Sequence, residues 1–229
     1  MDWQWAADHV DDFAEATRSH LYLALMPVLY GLLISIPLGL LCVRIPKLYP
    51  PVLGGANVIY ALPGLALIVL LIDTTGFSNA TIIIPLTLYT LVILIPNIVD
   101  GLRSVPEPVR QAATAMGFGE LRRQIQVEFP IAIPYVMAGL RVATVSSISL
   151  VSIGVLIGDD FGGLGVFFID GFQQDFMTPI IIGVALSVAL ALLADALLVL
   201  AQRLLTPWSR TRRIRPLAQV ERVEAGVSV

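Results

Sequence analysis

Leu21-Tyr22-Leu23-Ala24-Leu25-Met26-Pro27-Val28-Leu29-Tyr30-Gly31-Leu32-Leu33-Ile34-Ser35-Ile36-Pro37-Leu38-Gly39-Leu40-Leu41-Cys42-Val43 runs for 23 residues without a charged side chain. At ~1.5 Å per residue, a helix over it exceeds the ~30 Å hydrocarbon core of a bilayer. The stretch therefore reads as a membrane span. The acids Asp2, Asp8, Asp11, Asp12 and Glu15 precede it, and no small-residue cleavage site follows. This reverses the charge of a signal peptide's leader, so the segment is expected to be retained.

Composition extends that reading to the whole chain of 229 residues. Apolar residues make up 57% and charged residues 14%, with a mean hydropathy of +0.85, against ~25% charged in an average soluble domain. So few charges cannot cover so much aliphatic surface in water, and the surplus should face lipid. A net charge of -3 offers no basic face for nucleic acid. Cys42 is the only cysteine, which excludes an internal disulfide and a Cys-based metal site and leaves a small core residue. Lys47, in Ile45-Pro46-Lys47-Leu48, is the only lysine, so no Walker-type phosphate loop exists. His9 and His20 both precede the first span, leaving no histidine at membrane depth for hydrolase chemistry. The chain is expected to be no enzyme and to hold no metal or cofactor of its own.

Further apolar runs cover Pro51 to Ile72, Ala80 to Val99, Tyr135 to Gly158 and Thr178 to Ala201. The expected fold is an all-α integral membrane protein of five spans, with Pro27, Pro37, Pro63, Pro85 and Pro96 tolerated because neighbouring helices re-satisfy freed backbone groups. With five spans, every Lys and Arg except Arg18 falls on one side; Asp73, Asp159, Asp160, Asp170, Asp175 and the N-terminal acids fall on the other. Four or six spans would scatter the arginines. The positive-inside rule then places the N-terminus outside and the C-terminus in the cytoplasm of a multi-pass cell-membrane protein. The expected organisation is one domain over 1–229: an external segment 1–20, a membrane core 21–207 with a cytoplasmic loop 100–134, and a cytoplasmic tail 208–229. Trp3 and Trp5 read as interface anchors, and the arginines from Arg210 to Arg215 as an anionic-lipid element.

The cytoplasmic loop carries a pattern. Ser104-Val105-Pro106-Glu107 reads as a capping box. Val109, Ala112, Ala113 and Met116 follow at helical spacing, and Gly117 stands where a left-handed residue ends a helix. A second helix is expected over Glu120 to Phe129, stopping before Pro130. An interfacial amphipathic pair would have similar composition. The shallow face of Ala112, Ala113 and Gly117, rimmed by Arg110, Arg122 and Arg123, suits the close approach of a soluble protein better.

At these residues the chain resembles the permease subunits of binding-protein-dependent ABC importers. Their signature, E-A-A, three residues, G, nine residues, then I-x-L-P, is matched in spacing by Gln111-Ala112-Ala113, Gly117 and Val127-Glu128-Phe129-Pro130. Gln111 replaces the glutamate; it can hydrogen-bond but lacks the charge. The likeness covers roughly Leu21 to Pro207 and is strongest to permeases for glycine betaine, choline, carnitine and proline betaine. It is carried by Asn57-Val58-Ile59-Tyr60-Ala61-Leu62-Pro63-Gly64-Leu65-Ala66-Leu67, Leu86-Thr87-Leu88-Tyr89, Ala138-Gly139-Leu140-Arg141-Val142-Ala143-Thr144 and Gly162-Gly163-Leu164-Gly165. The resemblance implies a type I importer permease fold. It makes Arg110, Gln111, Ala112, Ala113, Met116, Gly117 and Pro130 the coupling surface for two ATPase subunits, which use ATP and Mg. It also implies a second permease chain, the same or different, and an extracytoplasmic binding protein.

Candidate path residues are Asn57, Tyr60 and Asn97, polar groups at membrane depth, and Asp195. Asp195 costs ~2.5–3.5 kcal/mol at a helix centre unless partnered or wet, and pairing with Arg141 competes with contact to a cationic solute. Interhelical hydrogen bonding is the other role open to the three polar groups. Ser146, Ser147, Ser149 and Ser152 are expected to bond within their helix or pack closely. Gly163, Leu164 and Gly165 are either a turn or, as in relatives, part of the external gate. A cation–π cage needs several clustered aromatics, which no stretch of the sequence displays, so the high-affinity cage is expected in the binding protein. A methionine-type permease, a non-transporting scaffold and a channel remain alternatives.

Overall fold

The computed structural model describes residues 2–154 and 162–209. Asp159 and Asp160, the end of the fourth span, and the arginines from Arg210 onward lie outside these residues. Most of the described residues are helical, and no strand occurs among them. In order the α-helices are α1 (Trp3–Asp8), α2 (Val10–Arg44), α3 (Tyr49–Ala61), α4 (Gly64–Thr75), α5 (Asn79–Arg103), α6 (Glu107–Ala115), α7 (Glu120–Arg123), α8 (Phe129–Gly154), α9 (Val166–Gln173) and α10 (Met177–Leu205).

Helices α2, α5, α8 and α10 are each long and apolar enough to span a bilayer. At 35 residues, α2 is about 50 Å long. It begins at Val10, well before the apolar run, and so projects beyond the hydrocarbon. It stops at Arg44 because Ile45, preceding Pro46, is held out of the helical region.

The second apolar run is not one helix. It is bent by 92° between Pro46–Ala61 and Gly64–Thr75. Pro63 has no N–H to donate and extends Leu62 before it, at ψ 137. The bent pair nevertheless crosses from one end of the bundle to the other. Arg44 pairs with Glu120 at 3.7 Å and Tyr49 lies under the Arg103 guanidinium at 4.9 Å, so α3 starts beside the end of α5. Asn79, at the start of α5, lines the same cavity as Ser19, Gly162 and Asp170 at the opposite end. Counting the bent pair as one span gives five crossings, with Arg44, Arg103, Arg110 and Arg123 at a basic end and Asp12, Glu15 and Asp170 at an acidic end.

Lipid tails are as apolar as leucine, so close approach and interhelical hydrogen bonds hold such a bundle together. Helix α5 lies at its centre, with Ile82, Leu94, Ile95, Ile98, Val99 and Leu102 fully buried. Gly31 lets α2 seat against Thr90, where a Cβ would collide. Ser147 donates across to the Ala24 carbonyl at 2.7 Å, while Ser149 bonds back to Val145. Cys42 is buried against Ile95 and Val99. Helix α10 is least enclosed and packs chiefly on α8 and α9.

Candidate functional site

At the basic end, the expected capping box does not form. Ser104 closes α5, its hydroxyl donating to Gly101 at 2.7 Å, and Pro106 holds the N-cap position of α6. Proline at that position supplies an extended turn but no capping oxygen. The far end is as expected. Gly117 has φ +85, Phe118 N–H donates to Ala113 at 3.1 Å and Gly117 N–H to Thr114 at 2.9 Å, the paired bonds of a Schellman cap. Ala113 is buried beneath α6, whereas Gln111, Ala112, Met116 and Gly117 face outward.

The second loop helix does not stop before Pro130. It widens into a π-helical turn over Gln124–Glu128 and runs into α8. Pro130 and Pro134 leave carbonyls without their usual donors, and a wider turn absorbs the mismatch. The same turn carries Glu128 inward until it is 1% exposed. Its Oε1 accepts from Arg123 Nε at 2.8 Å and lies 3.7 Å from Arg110 Nε. Arg110 Nη2 donates to the Leu102 carbonyl at 2.6 Å and Arg123 Nη1 to Thr114 Oγ1 at 2.9 Å. One buried carboxylate thus ties α6, the turn and the end of α5 together. Sequence reasoning passed over Glu128, although an acid inside an apolar run is the kind of group that needs a partner. The outward side of α6 forms an open concavity of about 460 Å³ lined by Glu107, Arg110, Gln111, Thr114 and Arg123.

At the acidic end, the segment before the first apolar run is not separate from the core. Trp5 stacks on His9 at 4.2 Å and meets Phe13 and Phe176 edge-on, so it packs within this end of the bundle; Trp3 stays exposed. Phe13 packs on Phe167 and Leu164. His20, which precedes the first apolar run, is fully buried. Its Nδ1 accepts from Leu164 N–H at 3.3 Å, and its Nε2 lies 2.9 Å from the Ile148 carbonyl. Since a backbone N–H can only donate, the ring proton is assigned to Nε2. His20 therefore links α2, α8 and the glycine segment. There Gly163 has φ +90, Leu164 is fully buried and Gly165 precedes α9.

The mid-membrane candidates separate. Asn97 donates to the Ile93 carbonyl at 2.7 Å and lies against Gly139, filling the α5–α8 crossing. Both oxygens of Asp195 are taken by Arg141, at 2.7 and 2.9 Å. Asn57 and Tyr60 lie on the exposed face of α3. Tyr60 meets Tyr89 edge-to-face, with centroids 5.5 Å apart, and Tyr89 donates its hydroxyl proton to the Leu62 carbonyl at 2.8 Å.

Comparison with known proteins agrees with this geometry. The family model of the binding-protein-dependent transport system inner membrane component matches residues 23–209. The glycine betaine/carnitine/choline transport system permease protein OpuCD of Bacillus subtilis is 34% identical over 189 residues, covering 82% of this chain and 82% of that protein. The osmoprotectant import permease protein OsmW of Salmonella typhimurium is 32% identical over 205 residues, covering 87% and 94%. Among solved structures, an inward-facing form of the MetNI methionine ABC transporter superposes with a TM-score of 0.78 at 20% identity, covering 87% of this chain and 98% of that one. That likeness carries the type I importer permease fold and nothing about substrate. With helices that cross a membrane and a match over most of its length, the chain belongs to the family of binding-protein-dependent transport system inner membrane components.

Proposed function

We propose that this chain is a permease subunit of an ATP-driven importer for small quaternary-amine osmoprotectants: glycine betaine, choline, carnitine and proline betaine. The observation that carries the substrate class is similarity, over more than four fifths of the chain, to permeases named for these solutes. The outward face of α6 is the coupling surface: Gln111, Ala112, Met116 and Gly117 meet a groove of an ATPase subunit, and Arg110 fixes the helix from beneath. Pro130 marks the start of the span that would receive the motion. A permease has no driving force of its own, so ATP-driven closure of two ATPase subunits and docking of a binding protein bias one two-state membrane element. The subunit works with a second permease chain, with its basic end in the cytoplasm. ATP and Mg are used by the ATPase partner.

Uptake of radiolabelled glycine betaine and choline into proteoliposomes holding the intact complex tests this reading. ATP-dependent uptake that is lost with a hydrolysis-dead ATPase supports it. Uptake of methionine with no uptake of either amine would replace the substrate class. Amine uptake that survives the dead ATPase would make the protein a channel, and binding of the partner without uptake of any solute would leave a scaffold.

A further inference from the structure

The break between α3 and α4 brings together what a quaternary ammonium group requires. Irregular backbone at membrane depth is tolerated only where it is buried in protein or lines a water-filled cavity. Ala61, Leu62 and Pro63 are all exposed in the single chain. They must therefore face another chain or an aqueous path. Tyr60 stands in the last turn of α3, whose C-terminal carbonyls carry partial negative charge, and no basic residue occupies that turn. Asn57, one turn earlier on the same face, adds a second exposed polar group where lipid would penalise it.

We propose that Tyr60 and Tyr89, at the α3–α4 break, form a transient binding site for the quaternary ammonium group on its way through the permease. The inference rests on the osmoprotectant reading and assigns that solute a contact inside the membrane. Tyr89 is 6% exposed and fixed by its bond to Leu62; Tyr60 is 55% exposed and stands edge-to-face on it at 74°. Tyr89 thus orients Tyr60 and leaves the outer ring face of Tyr60 free for a cation. Behind the pair, against Thr90, Ser146 and Ser147, only about 20 Å³ remains, room for roughly one water. The ammonium group therefore sits on the exposed side. The site is open and shallow, as a way-station must be if the solute is to leave.

The test is ATP-driven uptake of radiolabelled glycine betaine by the complete complex in proteoliposomes, with saturating loaded binding protein. Wild type is compared with Tyr60→Leu, Tyr60→Phe and Tyr60→Trp, and ATPase rate is recorded alongside. Ring faces attract cations in the order Trp first, so uptake should follow Leu below Phe and Tyr, with Trp at or above wild type. The Leu variant is expected to lose about two- to fivefold and to keep its stimulated ATPase rate. Wild-type rates for Leu, or equal losses for Leu, Phe and Trp, would overturn the site while leaving the osmoprotectant reading intact. Absence of betaine and choline uptake by the wild-type complex would overturn both.

Discussion

Arg141 and Asp195 form a two-pronged ion pair between α8 and α10, with Nε to Oδ1 at 2.7 Å and Nη2 to Oδ2 at 2.9 Å. The fork of the guanidinium matches the carboxylate, and each charge answers the cost of placing the other at membrane depth. The pair adds a polar tie between α8 and α10, the least enclosed crossing, beside the apolar packing of Ile182, Leu186, Leu190, Ala191 and Ala194. Asp195→Asn and Arg141→Leu each strand one partner, whereas replacing both by leucine strands neither. The single variants should melt lower in detergent than wild type, and the double variant should recover most of the loss. A double variant that folds but no longer takes up solute would return Asp195 to the translocation path. A double variant melting no higher than the singles would remove the pair as the link.

Glu128 offers a sharper energetic case, because its carboxylate is buried while both its arginine partners reach solvent at one edge. Glu128→Gln keeps the shape and removes the charge, leaving Arg110 and Arg123 without their anion. The arginines reach solvent and keep their bonds to Leu102 and Thr114, so the cost is that of weakened charge-assisted hydrogen bonds, about 1–3 kcal/mol, and the loss falls on the attachment of α6. Pull-down of the ATPase subunit by the detergent-solubilised Glu128→Gln permease should weaken severalfold, with the membrane helices still assembled. Unchanged ATPase binding would show that α6 is held by its Schellman cap and the Leu102 bond alone.

His20 is held by groups far along the chain, at Ile148 and Leu164. His20→Ala leaves the buried Leu164 N–H unpaired, at ~1–3 kcal/mol. Asn places an amide oxygen near the Nδ1 position and should recover part of that. Hydrogen exchange at Leu164 to Phe168 is expected to rise in the alanine variant, and less in His20→Asn. Equal protection in both variants and wild type would mean that the packing of Phe13 on Phe167 holds the segment without the imidazole.

These cases show which parts of the molecule hydropathy and charge can reveal. The long apolar helices follow from runs longer than the bilayer, a local property; the extent of the basic loop does not, because α5 runs on to Arg103 and the helix leading into α8 already starts at Glu120. The break at Leu62 does not follow, because Pro63 looks like Pro27, Pro37, Pro85 and Pro96, which lie within helices. What distinguishes it is Tyr89, a residue of another helix that takes up the Leu62 carbonyl. The burial of His20 is hidden for the same reason: it stands between polar Arg18-Ser19 and apolar Leu21-Tyr22, and its burial is decided by Ile148 and the glycine segment far along the chain. Pro130 misled in the opposite direction, since a π-helical turn let the helix pass a residue that normally ends one.

Gly117 separates backbone geometry from contact at the proposed coupling surface. Its φ of +85 is one that L side chains rarely adopt, yet nothing lies within 4 Å of where a Cβ would stand. Within the isolated permease, then, substitution strains the turn without a clash. Gly117→Ala should cost ~1–2 kcal/mol in the cap, and Gly117→Asn less, because asparagine tolerates the left-handed region. In a docked complex any side chain at this exposed position also faces the ATPase. If strain alone matters, uptake should fall in Gly117→Ala and be largely retained in Gly117→Asn. If α6 seats closely in its partner, the bulkier asparagine should lose more uptake than alanine while melting higher. Comparing the two rankings in one set of preparations decides between them, and the proposed coupling surface requires the second.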